Sequence, residues 1–165
     1  MTTQFKAYYP SEIGLIEITS SSTAIQSLYF IDSDSQPEPI NQGTEPKILQ
    51  ECRTQLDEYF KSGRNSFDLL LEPEGTAFQK AVWQQLLRIP FGQTASYLDI
   101  ARMVGNPKAV RAVGAANGQN PISVIIPCHR IIGSNGKLTG YGGGLWRKAW
   151  LLQHEGVLST QLALF

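Results

Sequence analysis

The feature that most limits the possible folds is a pair of helical segments with almost nothing between them. In "SYLDIARMVGNPKAVRAVGAA", residues 96–116, Gly105, Asn106 and Pro107 stand at the junction of the two segments. Gly105 is typical of a helix end, while Asn106 would cap the second helix and Pro107 would fill its first position. Two short helices with so tight a turn predict a helix-turn-helix. A plain helical hairpin has the same pattern and is the commoner structure.

The predicted second helix favours binding to nucleic acid, because a helix with small side chains can enter a groove closely. Lys108 and Arg111 lie three residues apart and are expected to share one face of this helix. Beyond it, the glycine-rich stretch "GSNGKLTGYGGG" and a last helix from about Leu145 to His154 predict a winged-helix arrangement. The small residues of the second helix are Ala109, Ala112, Gly114, Ala115 and Ala116.

The first half of the chain has a different pattern, with short alternating segments instead of closely spaced helices. The stretches "QFKAYY", "GLIEITS" and "AIQSLYFI", within residues 4–31, predict three strands. A polar loop with Pro37 and Pro39 follows, and residues 47–60 predict a helix with one apolar face. The stretch "FDLLL", residues 67–71, is a candidate further strand. This half therefore predicts a small antiparallel sheet covered by a helix.

The stretch Glu72–Thr76 is predicted to be a linker, and the net charge of the chain differs on its two sides. Residues 1–74 hold five Lys or Arg and twelve Asp or Glu, a net charge of −7, whereas residues 75–165 hold nine and two, a net charge of +7. A basic half is typical of proteins that meet a polyanion, although ordinary segregation of surface charge gives the same pattern. We predict an α+β protein of two domains, an N-terminal α/β domain in residues 1–74 and a helical, basic domain in residues 75–165.

Composition excludes several classes of protein. No apolar run reaches the ~20 residues that a membrane span needs, and the first residues do not have the pattern of a signal peptide. Two cysteines in 165 residues are no disulfide framework, so we expect a reducing, cytoplasmic location. Two Cys and two His far apart in the sequence do not make a zinc ligand set, so neither a metal nor another cofactor is expected.

The stretch "IIPCHRII", residues 125–132, places a nucleophile beside a base in an apolar setting. A lone cysteine among aliphatic residues is most often an inert buried thiol. Adjacent side chains point apart, so Cys128 and His129 are not expected to bond directly, and a water between them suits the geometry better. Such a base also needs a third group that fixes its tautomer. Asp99 is placed as a helix cap, which leaves Glu155 as the natural orienting carboxylate.

Taken together, these motifs resemble one family. "GTAFQKAVWQQLLRIPFGQTASY", "NGQNPISVIIPCHR", "LTGYGGG" and "WLLQHEG" follow one another, across residues 75–156, in the order and spacing of the O6-alkylguanine-DNA alkyltransferases. The resemblance implies an RNase H-like N-terminal domain and single-turnover repair of alkylated DNA. The same resemblance implies that residues 75–165 form a winged helix-turn-helix domain that binds DNA and accepts the alkyl group. It also implies a monomer that binds double-stranded DNA with O6-alkylguanine through the minor groove, with O4-alkylthymine as a further substrate.

The resemblance assigns a role to each residue of the reaction site. Cys128 matches the alkyl acceptor, His129 the residue that deprotonates it through a water, and Glu155 the carboxylate that orients the imidazole. Asn120 matches the hinge asparagine that ties the helix-turn-helix to the active-site segment. Tyr97 matches the tyrosine beside the rotated phosphate, which can donate a proton to guanine N3. If His129 and Glu155 keep Cys128 ionised, its pKa should lie well below the ~8.5 of free cysteine.

The resemblance also assigns residues to the DNA surface and to the base pocket. Arg111 matches the arginine that takes the place of the flipped nucleotide in the base stack, and Lys108 is expected to meet phosphates. Gly142 stands where some relatives have serine, which leaves room for alkyl groups larger than methyl. The remaining residues assigned to the DNA surface and the pocket are Ala109, Ala112, Tyr141 and Gly143.

Three other functions share parts of this pattern. An alkyltransferase-like protein, which binds lesions without repairing them, lacks the acceptor cysteine, whereas Cys128 is present. A winged-helix transcription regulator needs no reactive cysteine and usually presents a polar reading helix to the major groove. A Cys–His hydrolase needs a direct dyad, which adjacent residues are poorly placed to form. Alkyl transfer is therefore the function we expect.

Overall fold

The structure, a computed structural model, describes residues 4–32 and 44–157. The loop predicted around Pro37 and Pro39 lies outside these ranges. Contacts between Cα atoms divide the chain into two compact units, Met1–Glu74 and Gly75–Phe165. Within the described ranges, no helix is both long and apolar enough to cross a membrane.

The N-terminal unit is an antiparallel sheet covered by a helix, which confirms the predicted α+β class. Strands β1 (Phe5–Ser11), β2 (Gly14–Ser20) and β3 (Ile25–Ile31) pair in that order. Helix α1 (Lys47–Lys61) packs against this sheet with its apolar face. Cys52 lies on that face and is fully buried, as expected for a small hydrophobic side chain.

The strand predicted at residues 67–71 is wrong. In the described part of the chain, this segment makes an isolated parallel bridge between Leu71 and Ile25 and joins no strand ladder. The side chain of Gln55 on α1 takes the place of a neighbouring strand: its Nε2 donates to the Asp68 carbonyl oxygen at 3.0 Å, and its Oε1 accepts from the Asp68 N–H at 2.8 Å. Because one side chain satisfies both backbone groups of Asp68, the segment needs no ladder there.

The C-terminal unit consists of helices separated by sharp turns. Two of the helices begin with capping boxes: Thr76 exchanges hydrogen bonds with Gln79, and Ser96 with Asp99. A short parallel pair of strands brings the start of one of these helices next to the segment that follows Cys128. The elements in chain order are α2 (Ala77–Leu86), β4 (Ala95–Ser96), α3 (Tyr97–Met103), α4 (Val110–Gly118), β5 (Ile131–Ile132) and α5 (Leu145–His154).

Helix α2 anchors the pair formed by α3 and α4. Trp83 on α2 is almost fully buried, and its Nε1 donates to the Ala116 carbonyl oxygen of α4 at 2.9 Å. Val113 of α4 and Ile100 of α3 are buried in the same unit. A Cβ atom added at Gly75 would lie 2.5 Å from the Trp83 ring, so glycine is required at this approach. The predicted helix-turn-helix is therefore present, and α2 fixes its inner side.

The predicted start of the second helix is wrong by three residues. Helix α4 begins at Val110 rather than at Pro107. The Asn106 side chain accepts from the Lys108 N–H at 3.2 Å, and the Asn106 carbonyl oxygen accepts from the Ala109 N–H at 3.0 Å. Asn106 therefore builds a turn of its own instead of a helix cap. As a result Lys108 precedes α4 and does not share a helix face with Arg111.

Candidate active site

The backbone before Cys128 contains a rare turn. The Ile125 N–H donates to the Ser123 carbonyl oxygen at 2.7 Å, and Val124 between them has a φ of 69°. This is a γ-turn of the strained, positive-φ type, which a β-branched residue seldom adopts. Val124 is also buried. Strain of this kind persists only where the surrounding structure holds the backbone in place.

The side chain of Asn120 is part of what holds this backbone. Its Nδ2 donates to the Ile126 carbonyl oxygen at 2.8 Å, and its Oδ1 accepts from the Ile122 N–H at 3.0 Å. Asn117, on the last turn of α4, donates from Nδ2 to the Cys128 carbonyl oxygen at 3.5 Å. Because Asn120 follows α4 almost directly, these bonds connect the helix-turn-helix to the segment that carries Cys128.

Cys128, His129 and Glu155 come together in the core. Cys128 begins a 3₁₀ turn and is 5% exposed, while His129 is fully buried. The Nε2 atom of His129 lies 2.7 Å from Oε2 of Glu155, which follows α5. Since a carboxylate oxygen accepts, Nε2 carries the proton and Nδ1 is left as an acceptor. Nδ1 is buried and has no hydrogen-bond partner among the residues that the structure describes.

Arg130 binds the same carboxylate from the other side. Its Nε donates to Oε1 of Glu155 at 2.7 Å, and its Nη2 donates to Oε2 at 3.1 Å. Its Nη1 donates to the Ile89 carbonyl oxygen at 2.6 Å, beyond the end of α2. Arg130 and Glu155 are both buried, so this fork is a charge-assisted contact shielded from water. His129 and Arg130 therefore share one carboxylate.

Most of the residues predicted to meet DNA lie on α4 or just before it and face solvent. Arg111 and Ala112 on α4 are exposed, as is Lys108 in the turn before it, and Ala109 is half-buried. Val110 is 37% exposed although it is apolar. The outward side of α4 thus combines small side chains with a single long cation, Arg111.

The predicted pocket residues follow β5. The Tyr97 hydroxyl, at the start of α3, lies 2.7 Å from Oγ1 of Thr139, which brings Tyr97 to this segment. The Tyr141 hydroxyl is buried. A Cβ atom at Gly142 would meet no atom within 4 Å, and Gly143 is half-buried. Gly142 is exposed, so the open space beside it faces solvent.

Comparison with known proteins identifies the family. Residues 77–157 match the family model described as 6-O-methylguanine DNA methyltransferase, DNA binding domain. Residues 5–73 match the model described as 6-O-methylguanine DNA methyltransferase, ribonuclease-like domain. The chain belongs to the 6-O-methylguanine DNA methyltransferase family.

Individual relatives of this methyltransferase cover nearly the whole chain. A protein of Methanosarcina acetivorans named methylated-DNA–protein-cysteine methyltransferase is 45% identical over 153 residues, which are 92% of this chain and 98% of that protein. A Haemophilus influenzae protein of the same name is 45% identical over 94% of this chain and 88% of its own length. The crystal structure of Mycobacterium tuberculosis OGT in complex with DNA matches 96% of this chain and 97% of its own, with 41% identity and a TM-score of 0.80.

In this methyltransferase, Cys128 is not held as a thiolate before DNA binds. Burial, the largest cause, raises the pKa of the Cys128 thiol, and the Asn120 amide and the Lys148 charge offset only part of that effect. The prediction of a pKa well below that of free cysteine is therefore wrong for the DNA-free protein. That prediction considered proton transfer from Cys128 through a water to His129, and it left out the cost of ionising a thiol away from water. The proton must leave Cys128 during the reaction.

His129 and Glu155 have the protonation states that a general base and its orienting carboxylate need. Burial lowers the pKa of His129 and outweighs the hydrogen bond to Glu155, so the imidazole is neutral. Burial alone would raise the pKa of Glu155, but the hydrogen bonds and charges of His129 and Arg130 lower it to about 2. A neutral imidazole that donates from Nε2 to an ionised carboxylate presents a basic Nδ1.

Lys148 is a site residue that the sequence analysis missed. It is fully buried on α5, and its Nζ donates to the Thr139 carbonyl oxygen at 2.5 Å. Burial lowers its pKa to about 8, against the opposing influence of Cys128. A sequence signal was available, because Lys148 shares one face of α5 with Leu151 and Leu152 and therefore points into the core. A cation near a buried thiol stabilises the thiolate as it forms.

Proposed function

We propose that this methyltransferase repairs O6-alkylguanine in duplex DNA by moving the alkyl group to Sγ of Cys128, once per molecule. O4-alkylthymine is a second proposed substrate. The observation that carries the proposal is the buried Nδ1 of His129, a lone acceptor next to Cys128 whose ring is fixed by Glu155. Acceptance of alkyl groups larger than methyl stays a prediction from the sequence, because Gly142 is exposed and the space beside it is solvent.

The proposed transfer is a displacement at carbon. Sγ of Cys128 forms a bond to the alkyl carbon as the bond from that carbon to guanine O6 breaks. The thiol proton passes through a water to Nδ1 of His129, while Tyr97 donates a proton to guanine N3, so the base leaves neutral. The His129 proton then restores the Tyr97 hydroxyl through solvent. The product is a thioether, a very poor leaving group, which explains a single turnover.

DNA is proposed to bind along the outer side of the helix-turn-helix. The target atom lies inside the duplex, so the nucleotide has to be extruded, at a cost of a few kcal/mol. Small side chains on α4 allow close approach in the minor groove, and Arg111 fills the gap that the nucleotide leaves. Binding as a monomer and a cytoplasmic location stay predictions.

One assay separates this function from lesion binding, transcription regulation and hydrolysis. DNA that carries labelled O6-methylguanine is incubated with the protein, and both are analysed for label. Transfer predicts one label per protein molecule and restored guanine in the DNA. Label that stays on the DNA despite tight binding would support a lesion-binding protein instead.

The role of Arg111 can be separated from that of an ordinary phosphate contact. Arg111→Ala should slow repair of a well-paired lesion at least about tenfold more than repair of a single-stranded lesion, because only the paired lesion has to be extruded at a cost of a few kcal/mol. Transfer rates on both substrates measure this difference. An equal loss on the two substrates would make Arg111 a phosphate contact only.

Lys108 provides the matched comparison, because it is exposed in the turn that leads into α4. Lys108→Ala should weaken binding to all duplexes alike and reduce the salt dependence of binding by about one unit of slope. Titration of both variants against damaged and undamaged duplexes at several salt concentrations checks this. A lesion-specific defect in the Lys108 variant would contradict the prediction.

A further inference from the structure

Arg130 contacts Glu155, and the transfer scheme above gives this contact no role. The guanidinium donates three hydrogen bonds: Nε and Nη2 donate to the two oxygens of Glu155, and Nη1 donates to the Ile89 carbonyl oxygen. The last bond fixes Arg130 to the chain beyond α2, and the Phe91 ring lies 5.9 Å below the guanidinium carbon. Three hydrogen bonds therefore hold Arg130 in the site, two of them to Glu155 and one to the backbone.

The charge of this cluster depends on Arg130. With Arg130 cationic, Glu155 anionic and His129 neutral, the buried group has no net charge. Without Arg130, Glu155 would lose the cation bonded to both of its oxygens, and protonation of His129 would compensate the carboxylate. A buried carboxylate next to an imidazole favours the imidazolium, since the ion pair replaces an isolated buried charge. His129 would then begin the reaction with a proton on Nδ1, the atom that has to accept one.

We propose that Arg130 is a positioning residue for alkyl transfer: its guanidinium compensates and orients Glu155, so that His129 stays neutral with Nδ1 free. This inference rests on the proposed function, in which Nδ1 of His129 accepts the thiol proton. Arg130 acts only through Glu155 and His129 and does not touch the reacting atoms.

The other charged and titratable groups around His129 do not replace Arg130. Lys148 on α5 also disfavours a proton on His129, but its Nζ is bound to the Thr139 carbonyl oxygen rather than to Glu155. Cys128 is a thiol at rest, and burial raises the pKa of Tyr141 well above its usual range, so both are neutral. The Arg130 charge lowers the pKa of His129, in the same sense as burial. Arg130 is thus a cation that contacts both oxygens of this carboxylate directly.

The test compares Arg130→Gln with Arg130→Lys and the unaltered protein. Single-turnover transfer rates are measured from pH 6 to 9 on duplex DNA with O6-methylguanine. In Arg130→Gln, the acid limb of the profile should move up by about one pH unit or more, the size of shift that one neighbouring charge produces. The rate ratio of unaltered to Gln protein should then fall about tenfold in total between the acid end of that limb and the plateau. Arg130→Lys keeps the charge, so its acid limb should lie close to that of the unaltered protein.

A structural role alone would lower the rate by the same factor at every pH, and this result would overturn the proposal. A second measurement does not depend on transfer at all. Nitrogen NMR of the unaltered protein should show His129 with its proton on Nε2 and an unprotonated Nδ1 at pH 7, with His154 assigned by a His154→Gln variant. An imidazolium at His129 would overturn the proposal even if Arg130→Gln does not fold. Correct NMR signals in a protein that transfers no label would instead reject the proposed function.

Discussion

Replacing Cys128 with alanine should abolish alkyl transfer and leave binding to alkylated DNA intact. The transfer needs a sulfur nucleophile, and the alanine side chain offers none. Cys128 is 5% exposed and sits behind the helix-turn-helix rather than on its outer side, so its loss removes no predicted DNA contact. Intact mass after incubation with O6-methylguanine DNA should rise by one methyl group in the unaltered protein and by none in the variant.

The second cysteine of the chain is the matched control. Cys52 is also buried, but it lies on α1, and burial raises its pKa to about 12. Cys52→Ala should therefore take up one methyl group like the unaltered protein. Repeated turnover on fresh substrate, or a methyl group found on Cys52, would contradict transfer to Cys128 in a single turnover.

The sequence predicts most of the secondary structure because its periodicities are local. Alternation places β1 to β3, and helical spacing places α1 and its buried face that includes Cys52. The failures have non-local or competing causes. Residues 67–71 are not a strand because the Gln55 side chain, from another element, satisfies the Asp68 backbone. The start of α4 shifts because Asn106 can cap a helix or build a turn, and sequence spacing does not distinguish the two.

The same division applies to the site. The motif around Cys128 placed His129 and Glu155 together correctly, because the position of Glu155 beyond an apolar helix brings it into the core. The pKa of Cys128 was predicted in the wrong direction, since burial depends on every element that surrounds the thiol. The strained backbone at Val124 gave no sequence signal, because valine is a residue that rarely adopts a positive φ.

Glu155→Gln should lower both stability and transfer rate more than any surface substitution. The change leaves the Arg130 charge buried without its counter-charge, which typically costs 3–5 kcal/mol, on the order of a third or more of the stability of a small protein. It also removes the anion that keeps the His129 proton on Nε2. The transfer rate should fall about a hundredfold, the lower end of what a positioned base contributes.

The stability loss has a defined dependence on pH. The pKa of Glu155 falls from an ordinary 4.5 to about 2 in the folded protein. A depressed pKa means that the unfolded chain binds the proton more readily, so the carboxylate stabilises the fold fully above about pH 5 and loses this contribution as pH falls towards 2. The shift corresponds to roughly 3 kcal/mol. The difference in unfolding free energy between unaltered protein and Glu155→Gln should therefore be largest at pH 7 and clearly smaller at pH 3.

Glu51→Gln serves as the control for this experiment, because Glu51 forms an exposed ion pair with Lys47 on α1. An exposed pair of this kind contributes about 0 to 1 kcal/mol, so its loss should change unfolding by little at any pH. Urea titrations of the three proteins at pH 3, 5 and 7 provide the comparison. If Glu155→Gln is as stable at pH 7 as Glu51→Gln, the carboxylate is not compensating Arg130. If the loss of unfolding free energy in Glu155→Gln is constant with pH, the loss comes from altered packing. That result would contradict an ionised Glu155 that orients His129.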